Sequence, residues 1–214
     1  MLDIHCHILP GVDDGSRDKE ESLAMLEAAR AAGIDAIVCT PHYKSRNFHQ
    51  SKVDAAFEWF VAEAEQMGIT AYLGYEIHWK KVMECGIEAA AEHAIEDTGY
   101  ALIEFSVNSD IGQYEQRGLW KLKGLGITPI IAHPERYARI QKDPDLAAEL
   151  KDMGCLLQLS ADAVCDSFFS PRRKLMKKLL KAGLYDCVAS DAHCVADYED
   201  FLKAKDLVEQ SFDL

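Results

Sequence analysis

The sequence lacks several devices that would place it quickly. It has no C-x-x-C pair, and its seven cysteines are scattered and odd in number. A disulfide framework is therefore not expected, and a reducing, cytoplasmic setting is the natural one. No stretch approaches the roughly 18 consecutive apolar residues of a membrane span, so direct membrane insertion is not expected. The chain opens on strand-like sequence without the charged-then-apolar pattern of a secretory signal. Basic residues are in deficit: 23 Lys and Arg against 36 Asp and Glu give a net charge of −13. That balance argues against nucleic acid or an anionic membrane as the main partner. G-x-G-x-x-G and the P-loop are missing too, which removes the two commonest nucleotide signatures. No linker, repeat or low-complexity tract interrupts the 214 residues, so one domain over 1–214 is expected.

What the chain does have is an alternation. Short apolar, β-branched runs occur at 2–7, 35–40, 70–77, 100–106, 127–133, 155–160 and 185–190. Between them lie helical patterns. Residues 18–32 begin with Asp18 and Glu21, a capping-box-like start, and stop at Gly33. Residues 51–67 carry Val53, Phe57, Phe60, Val61, Ala64 and Met67 on one face. Asp143-Pro144 and Ser170-Pro171 each read as an N-cap followed by Pro at the first helical position. Weaker helical patterns cover 79–96 and 114–123, and a last helix is expected from about 197 to the end. Seven strands alternating with helices imply an α/β fold with a parallel sheet, which could be an open doubly wound sheet or a barrel.

The unusual polar residues gather at the strand ends. His5 and His7 close the first run, separated by one residue, so on a strand they share a face while Cys6 points the other way. Asp13 and Asp14 follow in the next turn. His42 follows the second run, Glu76 ends the third, Glu104 the fourth and His133 the fifth, and Asp191 and His193 follow the seventh. The sixth delivers only Ser160. In α/β folds the C-terminal edge of the sheet is where active sites assemble. A solvated edge would show Lys, Ser, Asn and Gly as readily as His and carboxylates. Mixed imidazole and carboxylate donors suit Mn, Fe or Zn, and their number exceeds the needs of one ion. Two or three ions with a bridging carboxylate are implied.

The motifs HCHILPGVDDG, TPHY, GYEIHW, LIEFS, HPERY and SDAH, in this order, resemble the polymerase-and-histidinol-phosphatase (PHP) superfamily of metallophosphoesterases. Within it, the chain is most similar to the bacterial protein-tyrosine phosphatases of capsule and exopolysaccharide operons. The resemblance covers nearly the whole chain. It implies a distorted (β/α)7 TIM-like barrel with a centre of three ions, Mn2+ foremost. It implies that His5, His7, Glu76 and Asp191 hold the first ion. Glu76 would bridge to a second, held also by Glu104 and His133. Asp14, His42 and His193 would hold a third, with Asp13 behind Asp14. Arg136, three residues past His133, would grip a phosphoryl group. The partner implied is the phosphotyrosine tail of a bacterial tyrosine kinase.

Some residues depart from that pattern or stand outside it. The family usually has an Arg shortly after the last D-x-H, whereas this chain reads HCVADYEDF. His78 stands where an Arg is more usual after GxEI. None of the seven cysteines has Arg six positions on, so a cysteinyl-phosphate route is not expected. SPRRKLMKKLLKAG carries six cations, read first as a solvated helix face. Its alternative reading is a docking surface for an acidic tail or for another subunit of a homo-oligomer. Trp59, Trp79 and Trp120 are expected to pack, and Arg139 to face solvent. Two competing functions remain: a PHP phosphatase of a small metabolite such as histidinol phosphate, and a non-catalytic metal-binding module.

Overall fold

The computed structural model describes residues 1–44 and 48–212. Among the described residues, nine strand segments run parallel in two sheets. One holds β1 (Leu2–Cys6), β2 (Ala36–Cys39) and β4 (Thr70–Leu73), in that order. The other runs β3 (His42–Tyr43), β5 (Glu76–His78), β6 (Tyr100–Glu104), β7 (Thr128–Ala132), β8 (Leu156–Ser160) and β9 (Cys187–Ala189). The two sheets are pieces of one barrel wall. β2 passes into β3, and β4 into β5, each across a two-residue break. These four segments are therefore two interrupted strands, and the seven expected runs are all present. On the other side, β1 and the end of β9 meet at a single parallel bridge, Cys6 to Ala192. Asp191 N donates to His5 O (2.8 Å) and His7 N to Ala192 O (2.9 Å) there. The result is the distorted seven-stranded barrel that the resemblance implied.

The helices pack outside, on the main core. α1 (Lys19–Ala31) buries Met25, Leu26 and Ala29, the i, i+1, i+4 pattern of an amphipathic helix. Asp18 caps it by accepting from Glu21 N (3.0 Å), while Glu21 turns to Arg17 instead of completing the box. α2 (Gln50–Gln66) buries Val53, Phe60 and Ala64. The helical stretch expected at 79–96 is two short helices, α3 (Trp79–Cys85) and α4 (Ile87–Glu92), broken at Gly86 with φ +98°. α5 (Gln113–Gly124) lies where expected. Beyond β7 a short α6 (Ala138–Lys142) was not anticipated, and α7 (Asp145–Asp152) starts one residue later than Asp143-Pro144 suggested. α8 (Pro171–Lys181) buries Leu175, Met176 and Leu179. α9 is Asp197–Phe212, and residues 213–214 lie outside the described residues.

Inside the barrel, Val38, Ile95, Leu102, Ile130 and Ala132 form a separate small cluster. Below it a cavity of about 510 Å³ opens at the N-terminal ends of the strands, lined by Leu2, Ile4, Tyr72 and Leu156 among others. The upper half of the barrel is polar. The divide falls within β1, whose register against β2 shifts between Asp3 and Cys6. Such an irregularity re-aims side chains. Leu2 and Ile4 line the lower cavity, while His5 and His7 reach the upper end.

Candidate metal centre

The loop after β1 is folded tightly against its own strand. Ser16 N donates to His7 O (3.0 Å) and Gly11 N to Ser16 O (2.8 Å). Gly15 is needed here, because a Cβ would lie 2.0 Å from the His7 carbonyl oxygen. This fold-back separates the roles of the two aspartates. Asp13 accepts from Gly15 N (3.0 Å) and His42 N (3.0 Å), and its Oδ2 pairs with His7 Nδ1 at 2.7 Å. Asp14 projects outward, with Oδ1 3.0 Å from His42 Nε2 and 3.8 Å from His193 Nε2.

The strand ends bring the other donors to the same place. His5 Nε2 lies 3.2 Å from His7 Nε2 and 3.2 Å from Asp191 Oδ1. Glu76 is central: His133 Nε2 stands 2.8 Å from its Oε1 and His5 Nε2 3.6 Å, while His42 Nδ1 is 2.6 Å and His7 Nε2 3.5 Å from its Oε2. Three groups of donor atoms could each hold a cation. They are His7, Asp14, His42 and His193; His5, His7 and Glu76; and His42, Glu76 and Glu104. All nine residues singled out as ligands thus meet in one cluster. The grouping differs from the expected one in two ways: His7 and His42 each fall between two groups, and His133 and Asp191 belong to none of the three, adjoining them through Glu76 and His5.

Several buried donors in this cluster have no hydrogen-bond partner. His42 Nδ1 and Glu76 Oε2 touch without hydrogen-bond geometry, and Glu104 Oε2 and His133 Nδ1 also lack a partner. Buried polar atoms rarely stay unsatisfied, and a divalent cation is a partner that both imidazole and carboxylate accept. The donor set therefore fits a multinuclear site. Strain points the same way. His133 (φ +34°) and Asp191 (φ +52°) are two of four non-glycine residues with positive φ among the described residues. Such conformations cost on the order of 1–3 kcal/mol and cluster at functional sites.

The electrostatics are those of crowded charges out of water. Burial, and then the charge of Glu76, push the Glu104 carboxyl up to about 7. Burial opposes charge on His42, but Asp14 and Glu76 overcome it and raise the imidazole to about 9. Burial likewise opposes charge on Asp191, yet His5, His7 and Arg136 hold its carboxyl well below the ordinary range.

Second partners fix the imidazoles. His5 Nδ1 donates to Gln158 Oε1 (3.0 Å), whose amide nitrogen in turn donates to Leu159 O (2.6 Å). That chain of bonds assigns the amide orientation and turns His5 Nε2 to the cluster. His193 Nδ1 donates to Asp191 O (2.8 Å). Asp3, fully buried, accepts from Ser190 N (3.0 Å) and Ser190 Oγ (2.6 Å) and locks β1 to the end of β9. Sequence reasoning passed over Gln158 and Asp3. Gln158 was findable, since it lies two residues before Ser160 in an apolar strand and the same alternation paired His5 with His7.

Arg136 reaches this cluster through a carboxylate. Its Nη2 donates to Asp191 Oδ2 (2.5 Å), Asp162 Oδ2 (3.2 Å) and Ser160 Oγ (3.3 Å). Its neighbour Glu135 makes no ion pair with it; Glu135 is buried and accepts from Ser160 N and Tyr185 Oη (3.0 Å each). Arg172 corrects the solvated reading of its helix: it turns inward to Asp162 (2.8 Å) and Asp166 (2.5 Å). His78 caps α3 and its Nε2 meets Ser106 Oγ at 3.3 Å. Trp79 is buried, but Trp120 is 69% exposed and does not pack as expected, because its position on α5 faces away from the barrel. Arg139 is half-buried and pairs with Asp143.

The sequence model of the family described as capsular polysaccharide synthesis, CpsB/CapC, matches residues 1–213. The chain belongs to the CpsB/CapC family. Tyrosine-protein phosphatase CpsB of Streptococcus pneumoniae is 34% identical over 99% of this chain and 91% of its own. Tyrosine-protein phosphatase YwqE of Bacillus subtilis is 32% identical over 91% of this chain and 78% of its own. Crystal structures of YwqE and CpsB, described as unique metal-dependent tyrosine phosphatases, include a chain that superposes with a TM-score of 0.83 at 30% identity. That match covers 98% of this chain and 86% of the other. The resemblance stated from the motifs is borne out, and so is the parallel α/β fold it implied, its barrel wall divided into two sheets joined by the Cys6–Ala192 bridge.

Proposed function

We propose that this CpsB/CapC chain is a metal-dependent protein-tyrosine phosphatase. Its substrate is phosphotyrosine on a bacterial tyrosine kinase that regulates capsular or exopolysaccharide synthesis. The observation that carries the reading is the convergence of nine imidazole and carboxylate side chains at one end of the barrel. His5, His7, Glu76 and Asp191 would hold one ion, with Glu76 bridging to a second held by Glu104 and His133. Asp14, His42 and His193 would hold a third. Mn2+ suits these donors, with Fe or Zn as alternatives. When bound, such ions lower the pKa of water and offset the charge on phosphoryl oxygens, which is how a chain of net charge −13 would accept an anion.

The chain's own residues supply positioning. Gln158 and Asp13 hold the imidazoles of His5 and His7 in the tautomer that leaves Nε2 free for a cation. Arg136 holds one oxygen of Asp191, leaving the other toward His5 and His7. Its guanidinium is thereby a cationic group beside the cluster, placed to contact a phosphoryl oxygen, and Lys44, 3.5 Å from Asp14 Oδ2, is a second one on the open side. The Asp14 group is the open side of the centre, with the Asp14 side chain 61% exposed. An open side favours a phosphotyrosine carried on a polypeptide over an enclosed metabolite. A cytoplasmic setting is part of this proposal; among the described residues no helix is long and apolar enough to cross a membrane, and the seven cysteines are free thiols.

The test is hydrolysis of p-nitrophenyl phosphate with added Mn2+, with and without EDTA, followed by rates on a phosphotyrosine peptide and on histidinol phosphate. Loss of turnover on chelation and a preference for the peptide are expected. Turnover that survives chelation refutes the metal mechanism, and a preference for histidinol phosphate refutes the substrate.

A further inference from the structure

The cationic stretch at 170–183 is not absorbed by the metal centre. Six of the 23 Lys and Arg of this acidic chain fall within α8, which contains no Asp or Glu. Arg172 is used internally, as is Arg173, whose Nη1 donates to Asp166 O (2.6 Å). Lys174, Lys177, Lys178 and Lys181 remain exposed, at the i, i+3, i+4 and i+7 spacing that places them on one side of the helix, with Lys178 at 4.0 Å from Asp145 Oδ1.

The loop before α8 carries a second feature. Phe168 and Phe169 are 67% and 78% exposed, with their rings edge to face at 5.4 Å. Two neighbouring aromatics left in water are unusual without a partner. The Lys177 ammonium lies 5.2 Å from the Phe168 ring, so the aromatic pair and the cationic side form one surface. This surface is tied to the metal centre by a chain of ion pairs: Arg172 to Asp162, Asp162 to Arg136, and Arg136 to Asp191.

We propose that Phe168, Phe169, Lys174, Lys177 and Lys178 form a docking surface for an anionic peptide segment flanking the phosphotyrosine. The proposal rests on the phosphatase reading for its substrate. Charge complementarity selects the occupant: this side of α8 is positive on a chain of net charge −13. The phenyl rings offer contact area for an apolar or aromatic residue of the same segment. Docking beside the cluster raises the local concentration of the phosphotyrosine and acts on KM more than on kcat.

The experiment compares the full-length metal-loaded enzyme with Lys174→Gln/Lys177→Gln/Lys178→Gln and with Phe168→Ser/Phe169→Ser. Three substrates are used: p-nitrophenyl phosphate, an Asp/Glu-rich phosphotyrosine peptide and a Ser/Gly-rich one. The wild type should favour the acidic peptide by about ten-fold in kcat/KM at low salt, and this preference should fall as salt rises. The lysine variant should lose the preference through KM and the phenylalanine variant should raise KM for both peptides, while both hydrolyse p-nitrophenyl phosphate like the wild type, which also reports that they fold. Equal preference in the wild type and the lysine variant overturns the proposal, as does no preference in the wild type. If no peptide is hydrolysed, the phosphotyrosine reading fails separately. Fluorescence anisotropy with the labelled acidic peptide then decides docking, and equal affinities for wild type and variants overturn it. Binding of phosphatidylglycerol vesicles through the same residues, without binding of the peptide, also overturns it.

Discussion

His5 shows how much of a ligand's work is done by residues that never meet the ion. Its Nε2 faces the cluster because Nδ1 is held by Gln158, and Gln158 is held by the backbone of Leu159. His7 depends on Asp13 in the same way. Partners of this kind typically change metal affinity by about 10–100-fold when removed. Gln158→Leu should therefore keep the fold and weaken metal binding by about that range, measured by titration with Mn2+ or Zn2+ beside an unchanged circular dichroism spectrum. Unchanged affinity would mean that packing alone orients His5. The two aspartates of the first loop are separated at the same scale. Sequence spacing placed Asp14 ahead of Asp13 only by resemblance, whereas the fold-back at Gly15 sets Asp13 against His7 and Asp14 against His42 and His193.

At the scale of elements, helix signals were read well where local chemistry decides. Asp18 and Ser170 are caps in the structure, because a side chain that satisfies a free backbone N–H works the same way in any tertiary context. Asp18→Ala should cost about 1 kcal/mol, or roughly 2–4 °C in Tm for a chain of this size, with activity on p-nitrophenyl phosphate retained. Thermal unfolding followed by circular dichroism checks it, and a loss of activity at full stability would show that α1 also positions the Asp14 loop. Other elements were not legible. The break of β2 from β3 and of β4 from β5 depends on how the wall bends around the cluster, and no local pattern marks it. Gly86 divides a helix that periodicity alone kept whole. Trp120 and Arg172 were misread together, one expected to pack and the other to face solvent, because side-chain type is a weaker guide than the direction a helix position faces.

Over the whole molecule, the structure concentrates His, Asp and Glu at one end of the barrel and apolar side chains at the other. Cations that bind this end should stabilise the fold by mass action, by about 4 kcal/mol at a thousand-fold excess over Kd. The sign of the pH effect follows from the crowded donors. Glu104 (about 7) and His42 (about 9) both sit above their ordinary values, so at pH 6 each holds a proton that a cation must displace. At pH 8.5 Glu104 has lost its proton and His42 has begun to lose its own, so the competition is weaker. The rise in Tm on adding Mn2+ should thus be larger at pH 8.5 than at pH 6, and EDTA should cancel it at both. An equal rise at the two values would place the ions elsewhere.

The alternation of apolar runs and amphipathic stretches was enough to specify seven strands with helices between them, since each pattern follows from which face must leave water. The order of His and carboxylate at the strand ends was enough to single out a metal centre, because a parallel α/β sheet delivers those ends to one edge. Distances were the province of tertiary structure. Whether Asp191 meets His5 depends on β9 reaching back to β1, a contact across nearly the whole chain that no local signal encodes. The same holds for Gln158 behind His5 and for Arg136 reaching Asp191. A side chain's type sets what it can bind, and only the packed barrel sets what it is beside.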